Sequence, residues 1–273
     1  MIQEKFNIEG KVAIVTGGAG QLGVEFCRTL AEAGAVVVVA DLDGAAAEKT
    51  AKKLRESGFQ AASFHLDVTR IKSTRELATD TLSQFGRIDI LVNSAALDPK
   101  FDKLAASKNI APGAFEDFPL DDWNAALNVN LTGMFLVTQA CVQPMVKEAK
   151  GSIINICSTY GINGPDQRIY VNEGKRVAFK PVYYTTTKAG VLGFTKYLAA
   201  YYADTEIRVN ALTPGGVYNN HEEYFVKNYS AKTIMGRMAR KDEMNGALLY
   251  LASDASSYMT GSNLVVDGGW TAW

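Results

Sequence analysis

An α/β fold built on one parallel sheet follows from two observations. Short β-rich runs alternate with longer segments of helical period along the whole chain, and the first two runs are apolar at nearly every position. Strands covered by helices on both faces must be apolar throughout. The runs are Val12–Val15, Val36–Val39, Ala61–Leu66, Ile88–Val92, Ser152–Ile156, Ile207–Leu212 and Leu264–Val266. Helices are predicted between them over Gln21–Ala33, Ala45–Ser57, Ser73–Phe85, Leu120–Ala149, Tyr183–Ala203 and Asp242–Leu251. No linker, repeat or low-complexity tract interrupts the pattern, so a doubly wound seven-stranded sheet in a single domain spanning residues 1–273 is expected.

Two stretches break the rhythm, Leu97–Pro119 and Gly161–Pro181, and both follow the carboxyl ends of strands, where open α/β sheets place their ligands. Long connections there are more often functional than idle. They carry Lys100, Lys103, Lys108, Arg168, Lys175, Arg176 and Lys180, which would attract a phosphorylated, carboxylated or nucleotide-linked molecule, although surface solubility explains such residues equally well. A third stretch, 216–238, opens with Tyr218, Asn219, Asn220, His221 and Glu222 and adds Tyr224 and Phe225. It reads as a flexible lid.

Composition removes several classes of function. The 28 basic and 29 acidic residues nearly balance, with no dense Lys/Arg stripe, so nucleic-acid binding has no electrostatic basis. Cys27, Cys141 and Cys157 are odd in number, widely spaced and without a C-x-x-C, which suits buried thiols in a reducing compartment. With only His65 and His221, neither a histidine-based hydrolase nor a metal site is expected. No run reaches the ~18 apolar residues of a membrane span, and the first residues lack a signal-peptide layout, so a cytoplasmic location is expected.

Thr16-Gly17-Gly18-Ala19-Gly20-Gln21-Leu22-Gly23 follows the first strand and opens a helix, the context that a dinucleotide fingerprint requires. Gly17, Gly20 and Gly23 let the backbone approach a pyrophosphate, which free N–H groups at the helix start, on Gln21 and Leu22, would receive. Asp41 ends the second strand, 18 residues after Gly23, where an acid binds the adenosine ribose. Leu42 follows it rather than a basic residue, which favours NAD(H) over NADP(H). Asp43 is the better placed helix N-cap. Asp67 and Val68 at the end of the third strand are expected to meet the adenine. Asn93 and Ala95 after the fourth belong to the same wall, with Asn93 also suited to tying down a strand end.

Tyr184 and Lys188 lie one helical turn apart, downstream of a strand that ends near Ser158, and Asn130 lies upstream in N-V-N-L-T-G. Together with the glycine turn these residues describe an alcohol/carbonyl oxidoreductase. Over essentially its whole length the chain resembles the short-chain dehydrogenase/reductase family. The resemblance implies a one-domain Rossmann fold, a nicotinamide cofactor and a Ser158-Tyr184-Lys188 active site supported by Asn130. It also places Pro214, Gly215 and Val217 against the nicotinamide, matches Thr260-Gly261 and Val266-Asp267-Gly268-Gly269 to the family's C-terminal signature, and implies a homotetramer, with a homodimer as the smaller form.

Departures accompany the matches. The glycine spacing is that of the longer subfamily that includes sugar-nucleotide epimerases and dehydratases, whereas length and tail fit the shorter one. Asn93-Ser94-Ala95-Ala96 replaces the usual Asn-Asn-Ala-Gly, and Asn219 stands near the place of a frequent Thr. Ser158 and Tyr184 are 26 residues apart, about double the usual separation, so the extra segment must loop over the substrate side. With the long 97–119 connection this also resembles a branch associated with flagellin or surface-glycan modification.

A free phenol, with a pKa near ~10, is too weak an acid to exchange a proton with an alcohol at neutral pH. A lysine ammonium about 4 Å away favours the phenolate by ~4 kcal/mol at an effective dielectric of ~20, enough to bring the phenol into the neutral range. The expected chemistry is therefore hydride transfer between a secondary alcohol, such as a polyol, sugar or sugar derivative, and the nicotinamide. Tyr184 is the general acid/base, Lys188 its activator, Ser158 the holder of the substrate oxygen, and Asn130 the anchor of a water linking Lys188 to solvent. Alternatives are a sugar-nucleotide epimerase or dehydratase, or a catalytically silent NAD(H)-binding sensor. Tyr183 has no Lys four residues on, and Cys157 is expected to pack rather than react. Apolar faces at Ala126–Gln139 and Val191–Tyr202, with Phe135, Phe194, Tyr197 and Tyr201, suggest a subunit interface, and Trp270 and Trp273 suggest a buried tail.

Overall fold

Side chains along β1 (Val12–Thr16) and β2 (Val36–Asp41) enter two different cores in turn, as the period of two in a strand requires. Ala13, Val15, Val37 and Val39 join one cluster, whereas Val12, Ile14, Val36 and Val38 join the other. These are the two faces of one sheet. The computed structural model describes residues 1–98 and 111–273. Its further strands are β3 (Ala61–His65), β4 (Ile90–Asn93), β5 (Lys150–Ile156), the short β6 (Val171–Asn172) and β7 (Lys175–Arg176), β8 (Glu206–Pro214) and β9 (Asn263–Val266). Seven of them form a wholly parallel sheet in the order β3-β2-β1-β4-β5-β8-β9.

After a single turn of helix, α1 (Ile2–Lys5), the chain places α2 (Gln21–Glu32) and α3 (Gly44–Glu56) on the first face. Phe26, Leu30, Ala47 and Leu54 fill that core, and Leu248 and Leu251 complete it. The second face is covered by α4 (Ile71–Phe85), α6 (Met134–Lys147) and α7 (Val182–Tyr201), through Leu77, Val137, Met145 and Leu198. Remaining helices are α5 (Leu120–Leu127), α8 (Glu223–Ser230) and α9 (Asn245–Ala252), the source of Leu248 and Leu251. The doubly wound Rossmann architecture is the one expected. Strand order reverses between β1 and β4, which opens a crevice beyond their carboxyl ends.

The predicted helix over Leu120–Ala149 is three pieces in one: α5, a π-helical stretch at Asn128–Gly133, and α6. Single π turns inside helices mark functional sites often enough to notice, and this one contains Asn130. The combined stretch Leu120–Lys147 is long and apolar enough to cross a membrane by length and composition, but half of its apolar window is buried within the fold. Helix α8 replaces part of the irregular lid expected over 216–238, because two turns give too short a pattern to register as helical period. A small hairpin, β6 to β7, turns at Glu173 and Gly174, both at positive φ. Asp43 caps α3 by accepting from the Ala46 N–H at 2.9 Å, as its position suggested.

The C-terminal aromatics divide. Trp270 is buried and stacks on Tyr229 with ring centroids 4.2 Å apart, whereas Trp273 is 75% exposed and donates its indole N–H to the Lys232 carbonyl. Only the first behaves as a buried tail.

Leu91, at the centre of β4, is fully buried between sheet and helices. Leu91→Ala is expected to lower unfolding free energy by about 2–5 kcal/mol, read as a shift of the urea midpoint at unchanged slope.

Candidate active site

The Thr16 hydroxyl at the end of β1 accepts the N–H groups of Ser94 and Ala95, each at 3.1 Å, and so binds the segment after β4 to β1 across the switch point. Gly17 turns there at φ +63°, where a side chain would sit 2.9 Å from the Ala95 Cα. A Cβ on Gly23 would lie 2.0 Å from the Gly17 carbonyl oxygen, so α2 reaches the turn only because that residue is glycine. Gly20 starts α2 with no side-chain cap, leaving the first-turn N–H groups of Gln21 and Leu22 for an anion. This cradle fits a dinucleotide pyrophosphate.

Asp41 stands beside it, Oδ2 accepting from the Ala19 N–H at 3.0 Å and Oδ1 from the Asp43 N–H at 3.1 Å. Leu42 next to it is 66% exposed. Asp67 accepts from the Thr69 N–H and hydroxyl, bonds that hold its carboxyl below the usual range, and Val68 is buried beside Gly133. Asn93 donates to the Thr138 hydroxyl and the Asn155 side-chain oxygen, both at 2.9 Å. Its amide thus ties β4 to β5 and α6. Across the crevice, Pro214 ends β8, the Gly215 N–H bonds the Val266 carbonyl at 2.9 Å, and Val217 bridges to Ala239. Gln21 spans the gap, its Nε2 donating to the Tyr218 carbonyl at 2.8 Å.

Ser158, Tyr184 and Lys188 come together at the end of β5 and in the first turns of α7. The Ser158 hydroxyl caps a 3-10 turn by accepting from the Tyr160 N–H at 3.2 Å and lies close enough to the Tyr184 phenol to favour its ionised form. Lys188 is buried, donates to the Ile156 carbonyl at 2.9 Å, and keeps its Nζ 5.9 Å from the centre of the Tyr184 ring. The Asn130 Oδ1 accepts from the Leu97 N–H at 2.7 Å, and its Nδ2 donates to the Leu97 carbonyl and the Thr187 hydroxyl. One side chain braces both walls of the site.

Burial works against the expected acidity of the phenol. Desolvation, followed by the Asp98 carboxylate, pushes the Tyr184 phenol well above its ordinary value against the smaller opposing effect of Ser158. Burial likewise lowers Lys188. The protein's own groups therefore hold Tyr184 protonated. Tyr183 is buried and packs on the Phe118 ring at 5.7 Å. The Cys157 thiol donates to the Lys188 carbonyl at 3.2 Å and is pushed up by burial, in keeping with the packing role expected of it.

The model described as Enoyl-(Acyl carrier protein) reductase matches residues 17–271. A 3-alpha-(or 20-beta)-hydroxysteroid dehydrogenase of Mycobacterium bovis is 36% identical over 263 residues, covering 96% of this chain and 90% of the relative. The chain belongs to the short-chain dehydrogenase/reductase family. A D-threitol dehydrogenase of Mycolicibacterium smegmatis is similar at 34% over 271 residues, with 97% of this chain and 95% of the relative covered. Among solved structures, a gluconate 5-dehydrogenase from Burkholderia cenocepacia in complex with NADP and tartrate has a TM-score of 0.87 at 32% identity, over the full length of both chains.

As a short-chain dehydrogenase/reductase the protein acts on alcohol and ketone groups. Within that frame its basic loop residues separate. Lys100, Lys103 and Lys108 lie outside the described residues. Arg168 pairs with Asp166, Lys175 is exposed, and Arg176 donates to the Gln167 carbonyl while lying over the Phe179 ring. Lys180 is different. Surface solubility would explain a loop lysine equally well, yet only 10% of its side chain is exposed and its Nζ stands 3.8 Å from the centre of the Tyr184 ring. The signal was its place four residues before Tyr184, as Lys188 is four after.

Replacing Gly23 by Ala is expected to weaken binding of the reduced nicotinamide dinucleotide at least tenfold in a calorimetric titration while far-ultraviolet circular dichroism stays native, since the added methyl closes the turn rather than the core.

Proposed function

We propose that this protein interconverts a secondary alcohol and a ketone using NAD(H), with Tyr184 as general acid/base. The observation that carries the proposal is the convergence of Ser158, Tyr184 and buried Lys188 at the carboxyl ends of the strands that also carry the glycine cradle. Gly17, Gly20, Gln21, Leu22 and Gly23 would hold the pyrophosphate, Asp41 and Leu42 the adenosine ribose, and Asp67 and Val68 the adenine. Ala95, Asn93, Pro214, Gly215 and Val217 would line the path to the nicotinamide, and Tyr184 and Lys188 would meet its ribose. When bound, the nicotinamide supplies a hydride acceptor in oxidation and a hydride donor in reduction.

In oxidation the carbinol C–H pair leaves as hydride while the hydroxyl proton passes to Tyr184, and reduction reverses both transfers. Ser158 holds the substrate oxygen beside the phenol. Because the protein holds Tyr184 protonated, the ground state is set for donating a proton to a carbonyl oxygen. Two ammonium groups, Lys188 and Lys180, offset the cost of the phenolate that oxidation needs. Asn130, whose Oδ1 keeps a second lone pair beyond the bond from Leu97, is assigned the water that links Lys188 to solvent.

NAD(H) is preferred in this reading because the Asp41 carboxylate would repel a 2′-phosphate and exposed Leu42 offers it no cation. Relatives named for D-threitol and gluconate favour a polyol or sugar derivative over the epimerase and sensor readings. Exposed Phe135 on α6, and Tyr197 and Tyr201 stacked at 6.0 Å on α7, support a homotetramer or homodimer.

Tyr184→Phe should reduce kcat by about 10²–10⁴ with NADH binding retained, and near-normal turnover would remove the assignment. Wild-type kcat/KM should favour NAD⁺ over NADP⁺ by at least about tenfold, and Asp41→Ala should narrow that gap, both followed at the reduced-nicotinamide absorbance.

A further inference from the structure

We infer that Lys180 is the carboxylate-binding residue of the substrate pocket, so that the alcohol turned over is a hydroxy acid or sugar acid rather than a neutral polyol. The inference rests on the dehydrogenase reading for the position of the reacting carbon and goes beyond it in naming what the rest of the substrate carries.

A lysine is seldom so enclosed at a loop end. Lys180 immediately precedes Pro181, the N-cap of α7, and its backbone is gripped on both sides by one amide. Its N–H donates to the Gln167 Oε1 at 2.9 Å, and the Gln167 Nε2 donates to its carbonyl at 3.1 Å. Gln167 in turn is fixed through its own carbonyl by Arg176. The segment that lengthens the Ser158–Tyr184 separation therefore sets this one side chain in place. Its ammonium lies over the Tyr184 ring at 3.8 Å and 6.0 Å from the centre of the Tyr160 ring. A group hydrogen-bonded to the Tyr184 hydroxyl is thus one short side-chain length from a positive charge.

The ammonium also shows what it accepts. Among the described residues its hydrogen-bonding partner is the Asp98 carboxylate, at 2.7 Å. Asp98 is 61% exposed on the solvent side of a loop, while the lysine is enclosed. Three N–H donors on an ammonium leave two beyond that bond. A substrate carboxylate can share the ammonium or take the place of Asp98. Either is easier than stripping a buried partner, since the exposed carboxylate regains water when released. A phosphate is the poorer match, because Arg176 of the same insertion is taken up by the Gln167 carbonyl and the Phe179 ring, which leaves Lys180 a single ammonium without an arginine fork among the described residues. Opposite stands the 216–238 segment. His221 stacks on Phe225 at 5.1 Å, accepts the Asn219 N–H on Nδ1, and lies near enough to feel the charges of both Asp98 and Lys180.

The test uses paired alcohols of one carbon skeleton, gluconate against glucitol and erythronate against erythritol, with glucitol 6-phosphate as the phosphate arm. Wild-type kcat/KM should favour each acid over its alditol at least tenfold. Lys180→Met should cut that ratio at least tenfold and Lys180→Arg should retain most of it. Asp98→Asn removes the competing carboxylate and should raise the ratio several-fold, a gain that damage to the fold would not produce. An acid-to-alditol ratio that Lys180→Met leaves within twofold would overturn the inference, and a stronger preference for glucitol 6-phosphate than for gluconate would overturn the carboxylate assignment. Gluconate binding to the enzyme–NADH complex, read by tryptophan fluorescence, needs no hydride transfer and should weaken at least tenfold in Lys180→Met. Gluconate bound through Lys180 with no alcohol oxidised would sink the dehydrogenase reading alone. Alditol turnover with gluconate binding indifferent to Lys180 would sink this inference alone.

Discussion

Covering a parallel sheet with helices on both faces leaves no dry surface free for chemistry, and the remaining features of the molecule follow from that constraint. β1, β2 and β4 are buried along almost their whole length, so their side chains are committed to two cores. Polar groups are admitted at strand ends, where Thr16, Asp41, Asn93 and Ser158 all stand. The reversal of strand order between β1 and β4 parts the helices there, and the Thr16 hydroxyl holds the parted edges together through Ser94 and Ala95. A cofactor and a substrate have one shared place to go.

Enclosure of that place sets the terms for the proposed acid/base. Desolvation acts on Tyr184 more strongly than any neighbouring charge, and it favours the neutral phenol. Two lysine side chains stand near the ring. Lys188 reaches the site from one turn beyond Tyr184 and Lys180 from just before the helix, so a single stretch of α7 and its entry carries the phenol with an ammonium on either side. Ser158 completes the set from another element, at the end of β5.

The segment between Ser158 and Tyr184 is an ordered insertion rather than slack. Gln167 and Arg176 tie its two ends to each other, and Asn228 of α8 donates to the Ile169 and Val171 carbonyls, binding the insertion to the 216–238 segment. Lys232 pairs with Asp166 across the same junction. The two connections are therefore coupled. The aromatic cluster of Tyr160, Tyr170, Tyr229 and Trp270 is the packed floor beneath them.

The sequence by itself determined the features that depend on local period and local geometry. Seven strands fall within a few residues of their apolar runs, the glycine turn opens α2, Asp43 caps α3, and Tyr184 and Lys188 share a helix face, because each of these needs only neighbours in the chain. Tertiary structure decided what depends on partners far away in sequence. Lys180 meets Asp98 across 82 residues, Asn130 meets Leu97 and Thr187, and the Asn93 amide is taken by Thr138 and Asn155. The direction of the Tyr184 shift belongs to the same class: charge spacing along a helix can be read from the chain, but the water excluded around a phenol depends on everything packed against it.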